Sequence, residues 1–184
     1  MMFKILVTGA YSTGKSSLVD AITRSLRAAD HSVTILPDVA RDCPFPLNLD
    51  QTERATLWLL TTQIAREIEA SYKTTEIIIC DRGVPDILAH FTELATRGTV
   101  DLIPRMMPFL NAWIKLYDLI LLSRLNPDIP IEADGLRCMD PDYRSYLDRN
   151  AARGLEGYNN TIELPFDEQE RLCCALKEIG QRLP

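Results

Sequence analysis

The chain has 184 residues, 46% apolar and 25% charged, which suits one globular domain (1–184) and excludes a disordered, collagen-like or disulfide-scaffold protein. With 20 basic and 26 acidic residues the net charge is −6, which argues against binding nucleic acid mainly by electrostatics. No apolar run is long enough for a transmembrane helix, the amino terminus lacks a secretory layout, and the five cysteines have no zinc-like spacing, so a cytoplasmic protein with reduced thiols is expected.

Residues 3–7 read as a buried strand, and residues 14–28 as a helix with Leu18, Ile22 and Leu26 on one face. Residues 32–36 are a second β-rich run, stopped by Pro37. Asp50 and Glu53 have the spacing of a capping pair, ahead of a helix carrying Leu57, Leu60, Ile64, Ile68 and Tyr72 that ends near Lys73. Residues 76–80 hold three successive isoleucines and predict a third strand; residues 86–97 predict a helix stopped by Gly98. Pro104 and Pro108 interrupt the apolar stretch 103–115 and leave it ambiguous, and residues 116–122 predict a fourth strand.

The proline-rich segment 126–141 is irregular, and a loop of that length usually serves function. Asp140 and Pro141 suit the start of a helix that runs to about Arg153. Residues 158–164 can form a fifth strand, and Asp167 and Glu170 cap a last helix. Alternating strands and helices predict a parallel sheet covered on both faces, with ligands at the carboxyl ends of the strands. Residues 9–16, 38–41, 81–82 and 124–137 follow strands directly, so they are expected to line one crevice.

Gly9-Ala10-Tyr11-Ser12-Thr13-Gly14-Lys15-Ser16 fits G-x-x-x-x-G-K-[ST] at every fixed position, between a strand and a helix as that motif requires. Glycines at these places let the N–H groups of Tyr11, Ser12, Thr13 and Gly14 converge on phosphate oxygens, and the helix N-terminus through Ser17 adds further donors. Lys15 is expected to reach the β- and γ-phosphates and the Ser16 hydroxyl to bind Mg²⁺, which makes ATP and Mg²⁺ the expected ligands.

The N-K-x-D and D-x-x-G strings of GTPases are absent from the sequence. The third strand ends in Asp81-Arg82-Gly83 with no adjacent Glu, so the water-activating residue of an AAA-type ATPase is missing from its place. Asp81 is expected to touch Mg²⁺, directly or through water, or to take the acceptor proton, with Arg82 steadying the acceptor. Asp38 can bind or deprotonate an acceptor hydroxyl, and Arg41 can hold a charged substrate group. Arg124, Arg137, Arg144 and Arg149 are candidate cations for the transferring phosphoryl group, with Arg137 first because Gly135 can hinge it. His90 reads as a structural helix residue.

The set G-A-Y-S-T-G-K-S, P-D-V-A-R-D, I-I-C-D-R-G-V-P-D and P-D-I-P-I-E-A-D-G-L-R resembles the AAA_28-type P-loop proteins, among them the nicotinamide riboside kinase domain of bifunctional NAD regulators. The likeness covers roughly residues 3–165, and Asp38 stands where relatives often have Glu. It implies a three-layer α/β/α P-loop fold, nucleoside- and nucleotide-kinase-like, with a five-stranded parallel sheet in the order 2-3-1-4-5. It also implies a lid near residues 124–150. The expected activity is transfer of the ATP γ-phosphoryl group to a small nucleoside-like or phosphorylated metabolite. The alternative is a regulatory ATPase or nucleotide-dependent switch acting on a protein partner. Tyr11, Trp58 and Trp113 are candidates to clamp an aromatic acceptor, and Leu164 and Pro165 to lie near the adenine. Oligomeric state, base preference and the choice of base between Asp38 and Asp81 stay open.

Overall fold

The computed structural model describes residues 2–73, 75–96, 101–126, 128–131 and 138–183, with the side chains of 92–96 left aside. Five strands, β1 (Phe3–Thr8), β2 (Val33–Leu36), β3 (Ile77–Asp81), β4 (Leu119–Leu122) and β5 (Thr161–Glu163), form one sheet in the order β2-β3-β1-β4-β5. All neighbours pair in parallel, so β1 sits at the centre between β3 and β4. Helices α1 (Lys15–Ala28), α2 (Glu53–Ser71), α3 (Val84–Thr96), α4 (Leu102–Ile114), α5 (Pro141–Gly154) and α6 (Glu168–Arg182) connect them. No described helix is long and apolar enough to cross a membrane.

Side chains alternate across the pleat, so the unbroken apolar strands bury residues on both faces. Leu6, Ile78, Cys80, Ile120 and Leu122 pack against Leu60, Val84, Leu110 and Ile114 of the helices on one side. Ile5, Val7, Ile77, Ile79, Leu119 and Leu121 pack against Leu18, Ile22 and Leu26 of α1 and Ala175 and Ile179 of α6 on the other. Burying each such side chain contributes about 1.5–3 kcal/mol. A smaller cluster of Ala10, Tyr11, Ala89, Tyr143, Leu147 and Ala151 seats α3 and α5 beside the loop that follows β1.

The expected order of elements matches, with local corrections. Gly14 caps α1 from a left-handed conformation, φ 78°, and is not its first residue. Thr52, not Asp50, caps α2: its hydroxyl accepts from the Ala55 N–H at 3.3 Å. Glu53 instead reaches α4, accepting from the N–H groups of Leu102 at 2.7 Å, Asp101 at 3.2 Å and Ile103 at 3.4 Å. The stretch with Pro104 and Pro108 is helical after all. Pro104 lies in the first turn, where no N–H is needed, and the buried face of Ile103, Leu110 and Ile114 outweighs the bond lost at Pro108. β4 starts only at Leu119, because α4 and the turn after it occupy the residues before. Asp140 and Asp167 cap α5 and α6 as expected.

Candidate functional site

The carboxyl ends of β1, β2 and β3 open on a cavity of about 370 Å³. One wall is the loop from Tyr11 to Ser17; the facing wall holds Asp38, Arg41, Gln63 and Arg82, with Val39, Leu59 and Ile87 as apolar lining. All four segments expected to meet contribute to this lining, the fourth through Ile129. Arg137 lies outside the described residues.

The glycine loop is built against β4. Gly9 has φ 131°, and a Cβ there would stand 2.1 Å from the Ser123 carbonyl oxygen, so no side chain fits. Ser123, just past β4, donates from Oγ to the Thr13 carbonyl at 2.9 Å. Ser12, at φ 54°, also takes the left-handed region. Lys15 is buried, with Nζ hydrogen-bonded to the Ala10 carbonyl and 3.3 Å from Thr13 Oγ1. Burial, with Arg82 nearby, lowers its pKa to about 7.

Ser16 Oγ donates to Asp81 Oδ2 at 2.7 Å, across from the start of α1 to the end of β3. Ser16 lines the cavity, and its hydroxyl with the Asp81 carboxylate makes a pair of hard oxygen donors, the set that suits Mg²⁺. The two residues therefore fit the ion expected from the motif.

Asp38 caps the short 3₁₀ turn Val39–Asp42 through the Ala40 N–H at 2.9 Å, and its second oxygen lies 2.7 Å from Arg82 Nε. Arg82 has φ 78° and also reaches Asp86 at 3.4 Å and the Gly9 carbonyl at 3.3 Å. Burial opposes its charge, but Asp38, Asp86 and Asp81 outweigh that and raise its pKa. Arg82 is thus a bracket between three strand ends. Arg41 is exposed at the cavity mouth.

Asp86 was missed as a site residue, although its position five residues after Asp81 in D-R-G-V-P-D was the available signal. It is buried and accepts from Thr8 Oγ1 at 2.8 Å, Gly9 N–H at 3.1 Å and Gly83 N–H at 3.0 Å. Burial pushes its carboxyl up, against the pull of Arg82 and Lys15. His90 lies on the cavity wall, with Nδ1 2.7 Å from the Tyr143 hydroxyl. Burial and then Arg82 lower its pKa to about 4, so it is neutral near pH 7.

Other candidates fall elsewhere. Trp113 donates to buried Glu67 at 2.9 Å and lies under the Lys4 ammonium, toward the opposite end of the sheet. Trp58 packs on the core cluster and Leu164 is buried behind the sheet; of the three aromatics only Tyr11 lines the cavity. Arg124 pairs with Asp148 at 2.9 Å and Glu163 at 3.1 Å, Arg144 bonds to carbonyls of the glycine loop, and Arg149 is exposed.

Residues 4–171 match the profile of the AAA_28 family, described as an AAA domain. No curated protein sequence matches. Among solved structures, deoxyadenosine kinase from M. mycoides with bound dATP has a TM-score of 0.71 at 15% identity, over 97% of this chain and 99% of that one. NadR in complex with NR has a TM-score of 0.73 at 18% identity, over 99% of this chain and 52% of that one. NadR with NAD and AMP-PNP gives 0.69 at 17%, over 99% and 49%. This chain therefore spans about half the length of those NadR chains. At these identities the likeness shows the fold alone, a parallel sheet covered by helices on both faces.

Proposed function

The chain belongs to the AAA_28 family of AAA domains, and from that premise we propose that it is a kinase transferring the ATP γ-phosphoryl group to a small nucleoside-like or phosphorylated metabolite. The observation that carries this reading is the cavity itself. Ser16 faces Asp81 at 2.7 Å beside the phosphate loop, and an aspartate and two arginines face it from the other wall.

In this reading residues 9–17 hold the phosphates, and Lys15 neutralises the transferring group. Ser16 and Asp81 would hold Mg²⁺, which supplies charge neutralisation at the β- and γ-oxygens when bound. Asp38, fixed by the Ala40 N–H and Arg82, accepts the hydrogen bond of the acceptor hydroxyl and is placed to take its proton. Arg41 attracts a charged group on the acceptor at the cavity mouth, and Arg82 fixes the acceptor side. Arg137 supplies further positive charge from a lid spanning about 124–150. We take residues 1–184 as one domain working in the cytoplasm. Positioning and charge supply most of the catalysis, as is general for phosphoryl transfer.

The test is ADP release from Mg-ATP by purified protein, with and without a panel of nucleosides, nucleotides and nicotinamide riboside. Acceptor-dependent release with one product class is expected. Equal turnover without any acceptor would overturn the kinase reading in favour of a regulatory ATPase.

A further inference from the structure

Four consecutive carbonyls of the glycine loop are taken by side-chain donors. The Ala10 carbonyl accepts from Thr13 Oγ1 at 3.0 Å and from Lys15 Nζ. The Tyr11 and Ser12 carbonyls accept from Arg144 of α5, through Nε at 3.1 Å and Nη2 at 2.7 Å. The Thr13 carbonyl accepts from Arg171 Nη1 of α6 at 2.6 Å, besides Ser123. Both arginines are only 4% exposed. A Cβ on Gly14 would stand 2.9 Å from Arg171 Nη1, which shows how closely that guanidinium backs the loop.

The peptide unit is planar, and no cis bond occurs among the described residues. A carbonyl held in one direction therefore holds the next residue's N–H in the opposite one. The Arg144 fork sets the N–H directions of Ser12 and Thr13, and Arg171 sets that of Gly14. Residues 11–14 line the cavity and neither arginine does, so carbonyls held by the arginines point away from it and the N–H groups toward it. The fork also secures Ser12 at φ 54°, a conformation that an unsupported non-glycine residue rarely keeps.

Each arginine has a second hold. Arg144 Nη1 donates to the Ile129 carbonyl at 2.8 Å, on the segment after β4. Arg171 donates to the Pro165 carbonyl at 3.0 Å and the Phe166 carbonyl at 3.1 Å, in the β5–α6 turn. We propose that Arg144 and Arg171 are positioning residues that present the loop's N–H groups to an anion before it arrives, and tie the loop to the segments at 129 and 165–166. Neither need touch the ligand. The consequence for nucleotide affinity rests on the kinase reading above; the effect on the loop does not.

The test uses the intact chain. Backbone ¹⁵N relaxation of the ligand-free protein gives order parameters for residues 11–14 in the parent, Arg144→Lys and Arg171→Lys. An ammonium keeps the charge but cannot span three carbonyls. Arg27→Lys is the control, since Arg27 donates to the Val33 carbonyl at 3.1 Å, away from the loop. The parent and the control should show about 0.85 throughout the loop, falling below about 0.6 at Ser12 and Thr13 in Arg144→Lys and at Gly14 in Arg171→Lys. Amides of β1 and β3 should not change. Calorimetric affinity for MgADP should fall about tenfold in each loop variant and hold in the control, the scale of one lost charge-assisted hydrogen bond. Unchanged order parameters at residues 11–14 in both variants, or an equal fall across the sheet, would overturn the proposal. A parent that binds no MgADP overturns the nucleotide reading, and the order parameters still decide this one. Either variant suffices if the other fails to fold.

Discussion

Lys15 carries two opposed demands. Its ammonium is needed for phosphate, yet in the ligand-free chain burial lowers its pKa from 10.5 to about 7. A bound polyphosphate restores the charge, so at pH 8 binding should take up close to one proton, and affinity should fall as pH rises above 7. Calorimetry in buffers of different ionisation enthalpy reads this directly; a heat independent of buffer would exclude it. The same depression makes this one group's contribution to stability rise with pH between about 7 and 10.5, because the unfolded chain then binds more protons. Lys15→Ala should lose MgATP binding while keeping its fold; undiminished binding would remove the basis for the phosphate loop. Asp86 differs, since it serves the scaffold. Asp86→Asn puts an amide N–H₂ against donors that the carboxylate accepts from, the Thr8 hydroxyl and the Gly9 and Gly83 N–H groups, and should cost about 1–3 kcal/mol in urea unfolding, the penalty of a buried donor left unsatisfied. Asp38→Asn, at a half-buried position, should cost stability less and acceptor-dependent turnover more. The reverse ranking would mean that the two aspartates have been assigned the wrong way round.

The helices are held at their ends as much as along their faces. α5 and α6 start on Asp140 and Asp167, whose carboxylates take two first-turn N–H groups each. α4 takes its cap from another element, Glu53 of α2, which ties the two helices together at their amino-terminal ends. Hydrogen bonds from the Leu102 N–H and then those of Asp101 and Ile103 depress the Glu53 pKa below its usual 4.5. The folded value lies below the unfolded one, so this stabilisation is present above pH 4.5 and is lost as pH falls through the folded value. Glu53→Gln should therefore lower the melting temperature at pH 7, and the gap to the parent should narrow on acidification. A gap independent of pH would show that the charge is irrelevant to the cap.

Across the whole molecule the two ends of the sheet divide the work. At the carboxyl end sit the loop, Asp38, Asp81 and Arg82. At the amino end Glu67, fully buried, accepts from Lys4 at 3.1 Å, Tyr117 at 2.6 Å, Trp113 at 2.9 Å and Gln63 at 2.9 Å. Lys4→Met should cost about 3–5 kcal/mol by leaving that carboxylate without its cation. Its effect on MgATP affinity in the folded protein should stay within about twofold, since distant sites act additively. A large loss of affinity would show that the ends are coupled, with Gln63 as the connecting side chain because it also lines the cavity.

What the sequence determined by itself was local or periodic. The glycine-lysine motif, the isoleucine run before Asp81 and the alternation of strands and helices mark the loop, the strand ends and the parallel sheet, because each follows from spacing along the chain. The resemblance added the strand order. Tertiary structure decided what depends on partners far apart in sequence. Glu53 reads locally as half of a capping pair and instead caps α4, 49 residues on. Pro108 reads as a breaker and is carried by the buried face of its helix. Trp113 reads as one of three candidate clamps for an acceptor and instead lies under the Lys4 ammonium. Arg144, read as a candidate cation for the phosphoryl group, and Arg171, which no motif marks, instead hold loop carbonyls from 132 and 158 residues away. The physical reason is common to all. A backbone carbonyl or a buried carboxylate needs a donor, and only the folded chain decides which distant side chain supplies it.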